Sequence, residues 1–186
     1  QALSTNSGGS YNTAIGSSSL YINSSGNYNT AVGGSSLYSN GSGSYNNTLG
    51  YGTLNNNTTG NNNIAIGAFS LYNNTKGYSN IAIGRGSLQN VSEGANMVAV
   101  GDSALFQQQN NAISEYLGYP YYYNTAVGSK ALYSSIDGSE NTAVGSKSLY
   151  SSINGFSNTA LGTYALYSNR SGNDNTALGV YASFGD

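Results

Sequence analysis

The chain has 186 residues, of which 6% are charged, and a formal net charge of −2. Cysteine and histidine are both absent, which excludes a disulfide framework, a zinc site of thiolate and imidazole ligands, and a histidine-based triad. Its cations, Lys76, Arg85, Lys130, Lys147 and Arg170, are scattered, which argues against a phosphate-binding basic patch, and no apolar run approaches the ~20 residues of a membrane span.

Gln1–Ser4 fits the end of a coil, and from there the chain repeats. Gly16, Gly33, Gly50, Gly67, Gly84 and Gly101 stand 17 residues apart, as do Gly128, Gly145, Gly162 and Gly179. A fixed period of this length is the signature of stacked, near-identical units. Four residues before the period glycine stand Asn12, Asn29, Asn46, Asn63, Asn80, Asn124, Asn141, Asn158 and Asn175, with Met97 as the one departure. Thr, Ile or Val follows in most repeats, then Ala, then always Ile, Val or Leu. After the glycine come a small residue, Leu, and usually an aromatic: Tyr21, Tyr38, Tyr72, Phe106, Tyr133, Tyr150, Tyr167 and Phe184. A second glycine recurs seven residues before the first.

These columns predict an all-β chain: a parallel β-solenoid, or β-roll, of about ten 17-residue coils with two short strands per coil, filling residues 1–186 as one domain. The first strand is Asn-(Thr/Ile/Val)-Ala-(Ile/Val/Leu); the second is (Ser/Ala)-Leu-Tyr. Alternation puts the β-branched and aliphatic positions on one face and Asn and Ala on the other. The aliphatic set reads as a thin core. The flat Ala-bearing face and the row Tyr21, Tyr38, Tyr72, Tyr133, Tyr150 and Tyr167 read as surfaces for packing against another copy. Stacking at about 4.8 Å per coil turns the Asn column into a ladder exchanging side-chain amide hydrogen bonds.

The repeat is interrupted between Gly101 and Gly128, roughly over 107–123. This stretch holds Pro120, the chain's single proline, with Tyr116, Tyr119, Tyr121, Tyr122 and Tyr123. Gly118 stands one period after Gly101, so the stretch reads as a degenerate coil plus a ten-residue loop. It is either a tolerated surface insertion or a recognition and packing loop, because Tyr offers large contact area at low entropy cost.

Asn-Thr-Ala-Val-Gly at Asn124–Gly128 and Asn141–Gly145, with Ile-Ala-Ile-Gly at Ile64–Gly67 and Ile81–Gly84, resembles the head repeats of trimeric autotransporter adhesins and the β-roll repeats of phage and virus tail fibres. The resemblance implies a left-handed parallel roll, often three chains side by side, at a cell or virion surface. Those adhesin heads use shorter repeats than this chain.

Asp137 and Glu140 share one turn, which reads as solvated rather than as a calcium site. Asn-X-Ser/Thr sequons begin at Asn23, Asn40, Asn46, Asn56, Asn57, Asn73, Asn90 and Asn169, several in turns expected to be exposed. The sequence therefore predicts a non-enzymatic structural protein with no cofactor, metal or catalytic residue, located extracellularly or on a cell or virion surface. Its expected partner is itself, as a homotrimer or an end-to-end filament, with surface glycans as a further partner. The alternatives are a glycan- or receptor-binding tail-fibre segment and an ice-binding solenoid presenting a Thr/Ala face.

Overall fold

The computed structural model describes residues 1–109 and 122–184. It is all-β, a parallel β-solenoid of about ten turns with 17-residue spacing and two short strands per coil. The strands are β1 (Thr5–Asn6), β2 (Thr13–Ile15), β3 (Ile22–Asn23), β4 (Thr30–Val32), β5 (Ser39–Asn40), β6 (Asn47–Leu49), β7 (Ile64–Ile66), β8 (Ile81–Ile83), β9 (Val98–Val100), β10 (Thr125–Val127), β11 (Thr142–Val144), β12 (Thr159–Leu161) and β13 (Thr176–Leu178). The three-residue strands form one ten-stranded parallel sheet, in order β2-β4-β6-β7-β8-β9-β10-β11-β12-β13, and β1-β3-β5 form a second, shorter sheet. Pairing is in register throughout: Ala31 faces Thr48, Ala65 faces Ala82, and Ala143 faces Ala160.

The interruption leaves the main sheet intact. β9 pairs directly with β10, Ala99 facing Ala126. Among the described residues, no strand of a further coil stands between them in the main sheet. Gly118 itself, with Tyr116, Tyr119 and Tyr121, lies outside the described residues.

The in/out assignment of the main sheet is the reverse of the one the alternation suggested. The Ala column is buried, with Ala31, Ala65, Ala82, Ala99, Ala126, Ala143 and Ala160 all fully inaccessible. The aliphatic column before the glycine points outward, with Ile15 59% and Leu178 73% exposed. Space decides this. Leu20, Leu37, Leu54, Leu71, Leu88, Leu105, Leu132 and Leu149 fill the centre of the rod at 0% exposure, leaving only an alanine's volume under the opposing strand. Thr48, the one polar residue in the Ala column, is accommodated by hydroxyl partners: Ser36 Oγ lies 2.6 Å from Thr48 Oγ1 and 2.7 Å from Thr53 Oγ1.

The Ser/Ala-Leu segment is also not extended. Each core leucine has a left-handed backbone, with φ of 44–50° from Leu20 to Leu166. So do the residues two after the period glycine (Ser35, Phe69, Lys130, Tyr164) and five before it (Tyr28, Tyr45, Glu140, Ser157). Three such residues per coil, each costing roughly 1–2 kcal/mol outside glycine, turn the corners of a 17-residue loop. They also swing corner amides along the rod axis: Tyr28 N–H donates back to Ser10 O at 3.1 Å, and Leu37 N–H donates forward to Thr53 O at 2.8 Å. Coil-to-coil bonding at the corners satisfies backbone groups that the short strands leave over.

The two glycine columns are required for different reasons. The period glycines have φ between 108° and 137°, and a Cβ on Gly33 would lie 2.7 Å from the carbonyl carbon of Gly50. The second column has no such φ. A Cβ on Gly26 would run into the carbonyl of Gly43 and the amide of Asn40.

Candidate functional site

The interior carries two amide ladders, and they meet at one acceptor. In the predicted ladder, Asn29, Asn46, Asn63, Asn80, Asn124, Asn141 and Asn158 are buried, while the terminal Asn12 and Asn175 are partly or fully exposed. Each Oδ1 accepts the backbone N–H of the next coil's residue at 2.9–3.1 Å. Each Nδ2 from Asn12 to Asn158 donates to a glycine carbonyl of the next turn at 2.6–2.9 Å. Side-chain to side-chain bonds also form but are longer, 3.0–3.3 Å. The ladder therefore clamps backbone first and neighbouring amides second.

The second ladder stands seven residues after the period glycine. Asn23, Asn40, Asn57 and Asn74 each donate to the preceding rung, at 2.8, 2.7, 2.7 and 3.2 Å. Each also donates to the glycine three residues on. Gly26 O thus accepts from Asn12 at 2.8 Å and from Asn23 at 2.9 Å, which uses both carbonyl lone pairs. The signal for this ladder was the Asn column itself, which is read as turn composition until its interior position is known. Burial also removes Asn23, Asn40, Asn46 and Asn57 as glycosylation acceptors in the folded chain.

Both ladders fail in the same coil. Val91 replaces the rung after Asn74, and Met97 replaces the rung after Asn80; both are fully buried. Asn74 Oδ1 is left as a buried acceptor without a partner. Tyr122, from the interruption, fills the gap: it is 4% exposed, and its ring, the Val91 side chain and Met97 Cε converge on Gly94. Beyond it, Gln108 Oε1 accepts from Asn124 Nδ2 at 3.0 Å and Ser135 Oγ at 3.1 Å, restarting the polar interior. Of the five tyrosines proposed as a recognition loop, Tyr122 is a core residue, Tyr123 is 51% exposed, and the other three are outside the described residues.

The predicted aromatic row is present and divided. Tyr21 and Tyr38 stack at 5.1 Å with rings 5° from parallel. Tyr72 instead meets Phe69 edge-on at 5.7 Å. Phe106, Tyr133, Tyr150 and Tyr167 stack continuously at 5.1–5.3 Å. Asn55 and Gln89 occupy the positions where the row is broken. A second row, Tyr11, Tyr28 and Tyr45, stacks at 4.9 and 5.1 Å and is more exposed, Tyr11 at 77%. A third short row pairs Tyr164 with Tyr181 at 5.0 Å. Lys147 lies beside it, its Nζ donating to Tyr164 Oη at 3.3 Å; this bond holds the ammonium above its ordinary range.

Between these rows runs the outward face of the ten-stranded sheet. Two residues per strand point out. In β7, β8 and β9 both are aliphatic: Ile64 and Ile66, Ile81 and Ile83, Val98 and Val100. Toward β10–β13 the first of each pair becomes Thr125, Thr142, Thr159 and Thr176. No protein-family model matches the chain, and no curated protein or solved structure is significantly similar to it.

Proposed function

We propose that this chain is a non-enzymatic structural rod of an extracellular fibre or surface adhesin, self-associating side by side through its repeat ladders. The observation that carries the reading is the outward face of the main sheet. A monomeric soluble protein has little use for an aliphatic residue on every strand of an exposed sheet, since contiguous apolar patches mark interaction surfaces. At about 4.8 Å per strand and three residues of about 3.3 Å per strand, the face measures about 450 Å², so a face-to-face pair hides about 900 Å². That falls short of the roughly 1,000 Å² that a specific interface clears. The flanking tyrosine rows supply the additional contact area.

Sedimentation equilibrium tests the reading. Wild-type protein is expected to show concentration-dependent mass above 19.2 kDa, and the double variant Ile66→Lys/Ile83→Lys is expected to stay monomeric with an unchanged circular dichroism spectrum. A wild type that is monomeric at all concentrations, or a double variant that associates equally well, overturns it.

Ice binding is supported by a different observation: Thr125, Thr142, Thr159 and Thr176 form a regular outward row beside Val127, Val144, Leu161 and Leu178. The row pairs Thr with aliphatic residues, because the alanines point inward. Absence of thermal hysteresis in concentrated protein removes that reading.

A further inference from the structure

The geometry points to a binding groove for a carboxylate-bearing saccharide, set into the gap of the long aromatic row and independent of the sheet face. The gap exists because one coil lacks two aromatic-sized side chains at once. Gly86 stands in the column that holds Phe69 and Tyr164, and Gln89 stands in the column that holds Tyr72 and Phe106. The result is a groove of about 480 Å³, floored by the buried Gly86 and walled by Phe69 at one end and by Phe106 and Tyr133 at the other.

The polar groups around it are unusual for this chain. Only 6% of residues are charged, yet Arg85, Asp102 and Lys130 all line this one groove, with Gln89 and Ser103 between them. Arg85 and Lys130 are two of five cations in the sequence. They are not committed to each other's neighbours: the ion pair found among the described residues is Lys76 with Glu93, elsewhere on the rod. Asp102 accepts from Ser103 Oγ at 3.1 Å, and Lys130 Nζ sits 6.0 Å from the Tyr133 ring centre.

The chemistry selects the ligand. Aromatic faces held upright by stacking offer a platform for a flat, weakly apolar C–H face. A planar amide, a hydroxyl and a carboxylate offer both donors and acceptors, which suits a rim of hydroxyl groups that each donate and accept. A pyranose has both features. Two cations against one carboxylate give the groove a positive balance on a chain of net charge −2, and guanidinium pairs with carboxylate through two parallel hydrogen bonds. A uronic-acid sugar satisfies all of these at once: its ring lies on the face of Phe106 that ends the stack, its carboxylate meets Arg85 with Lys130 nearby, and its hydroxyls meet Gln89 and Asp102.

The test is titration of the full chain with tetragalacturonic acid, followed by NMR, with cellotetraose as the neutral counterpart. Wild type is expected to bind the acidic oligomer about tenfold or more tighter than the neutral one, and Arg85→Gln to remove about that factor. Arg170→Gln, a cation away from the groove, is expected to leave binding unchanged. Gly86→Phe should abolish binding by filling the floor. Its backbone, at φ 64°, matches Phe69 at φ 60°, and the nearest atom to an added Cβ is the mobile Gln89 amide oxygen at 3.1 Å. Should that variant fail to fold, Gln89→Tyr closes the groove by completing the row. No binding of either oligomer, equal binding of both, or acidic-oligomer binding that survives Arg85→Gln and groove closure overturns the proposal.

Discussion

Replacing Asn40 with valine isolates what one buried amide contributes to the rod. Asn40 Nδ2 donates to Asn23 Oδ1 at 2.7 Å and to Gly43 O at 2.8 Å, and its Oδ1 accepts from Asn57 Nδ2 at 2.7 Å. Valine removes all three bonds. Gly43 O keeps its bond from Asn29 at 2.9 Å, and Asn57 keeps its bond to Gly60 O. Asn23 Oδ1 loses its ladder donor, and one Asn57 N–H loses its acceptor, both in a fully buried setting. At about 1–3 kcal/mol for each stranded group, the loss is about 2–6 kcal/mol. Near the midpoint this corresponds to about 4–24 °C for a chain of this size. Asn74→Val is the internal control. Asn74 Oδ1 already lacks a partner, its bonds are longer at 3.1–3.2 Å, and its next rung is Val91. Deleting it strands one Asn57 Oδ1 but removes an existing orphan, so the expected cost is about 1 kcal/mol or less. Thermal unfolding followed by circular dichroism compares the two variants. Equal midpoints for Asn40→Val and Asn74→Val would refute the ladder argument.

Backbone predictions test the corner geometry. Ser35, at φ 50°, should gain up to about 1 kcal/mol on replacement by glycine and lose about 1 kcal/mol or more on replacement by valine, read by denaturant unfolding. Gly33→Ala, with φ 129° and a carbonyl in the way, should prevent a stable fold. Gly34→Ala, whose Cβ meets the Tyr51 ring at 3.2 Å and no backbone atom closer than Ser17 O at 3.9 Å, should cost within about 1 kcal/mol; equal effects of the two would contradict the stacking geometry. Tyr122→Ala should destabilise by about 3–5 kcal/mol, whereas Tyr123→Ala should change the unfolding midpoint little.

The parts legible in sequence were those fixed by a repeating constraint. The 17-residue glycine step set the coil, and the Asn column marked a ladder because a residue with two donors and an acceptor recurs there without substitution by Ser or Asp. Alternation in Thr-Ala-Val divides two faces but does not say which is inside. That was decided by Leu37 and its equivalents, whose left-handed backbone sends them to the centre and leaves room only for alanine opposite. Leucine has no preference for that conformation, so propensity read Ser-Leu-Tyr as a strand. The second amide ladder was visible as Asn23, Asn40, Asn57 and Asn74, but Asn beside Ser and Gly reads as a turn. Tyr122 drew attention through its tyrosine neighbours, while its burial follows from Val91 and Met97, two apolar departures in polar columns whose coincidence in one coil was the available clue.

Electron microscopy of the wild-type protein tests the assembly most directly. The account predicts rods lying side by side with their main sheets about 10 Å apart, Ile66 and Ile83 inside the contact. Isolated rods at every concentration, or rods joined with that face left bare, would contradict it.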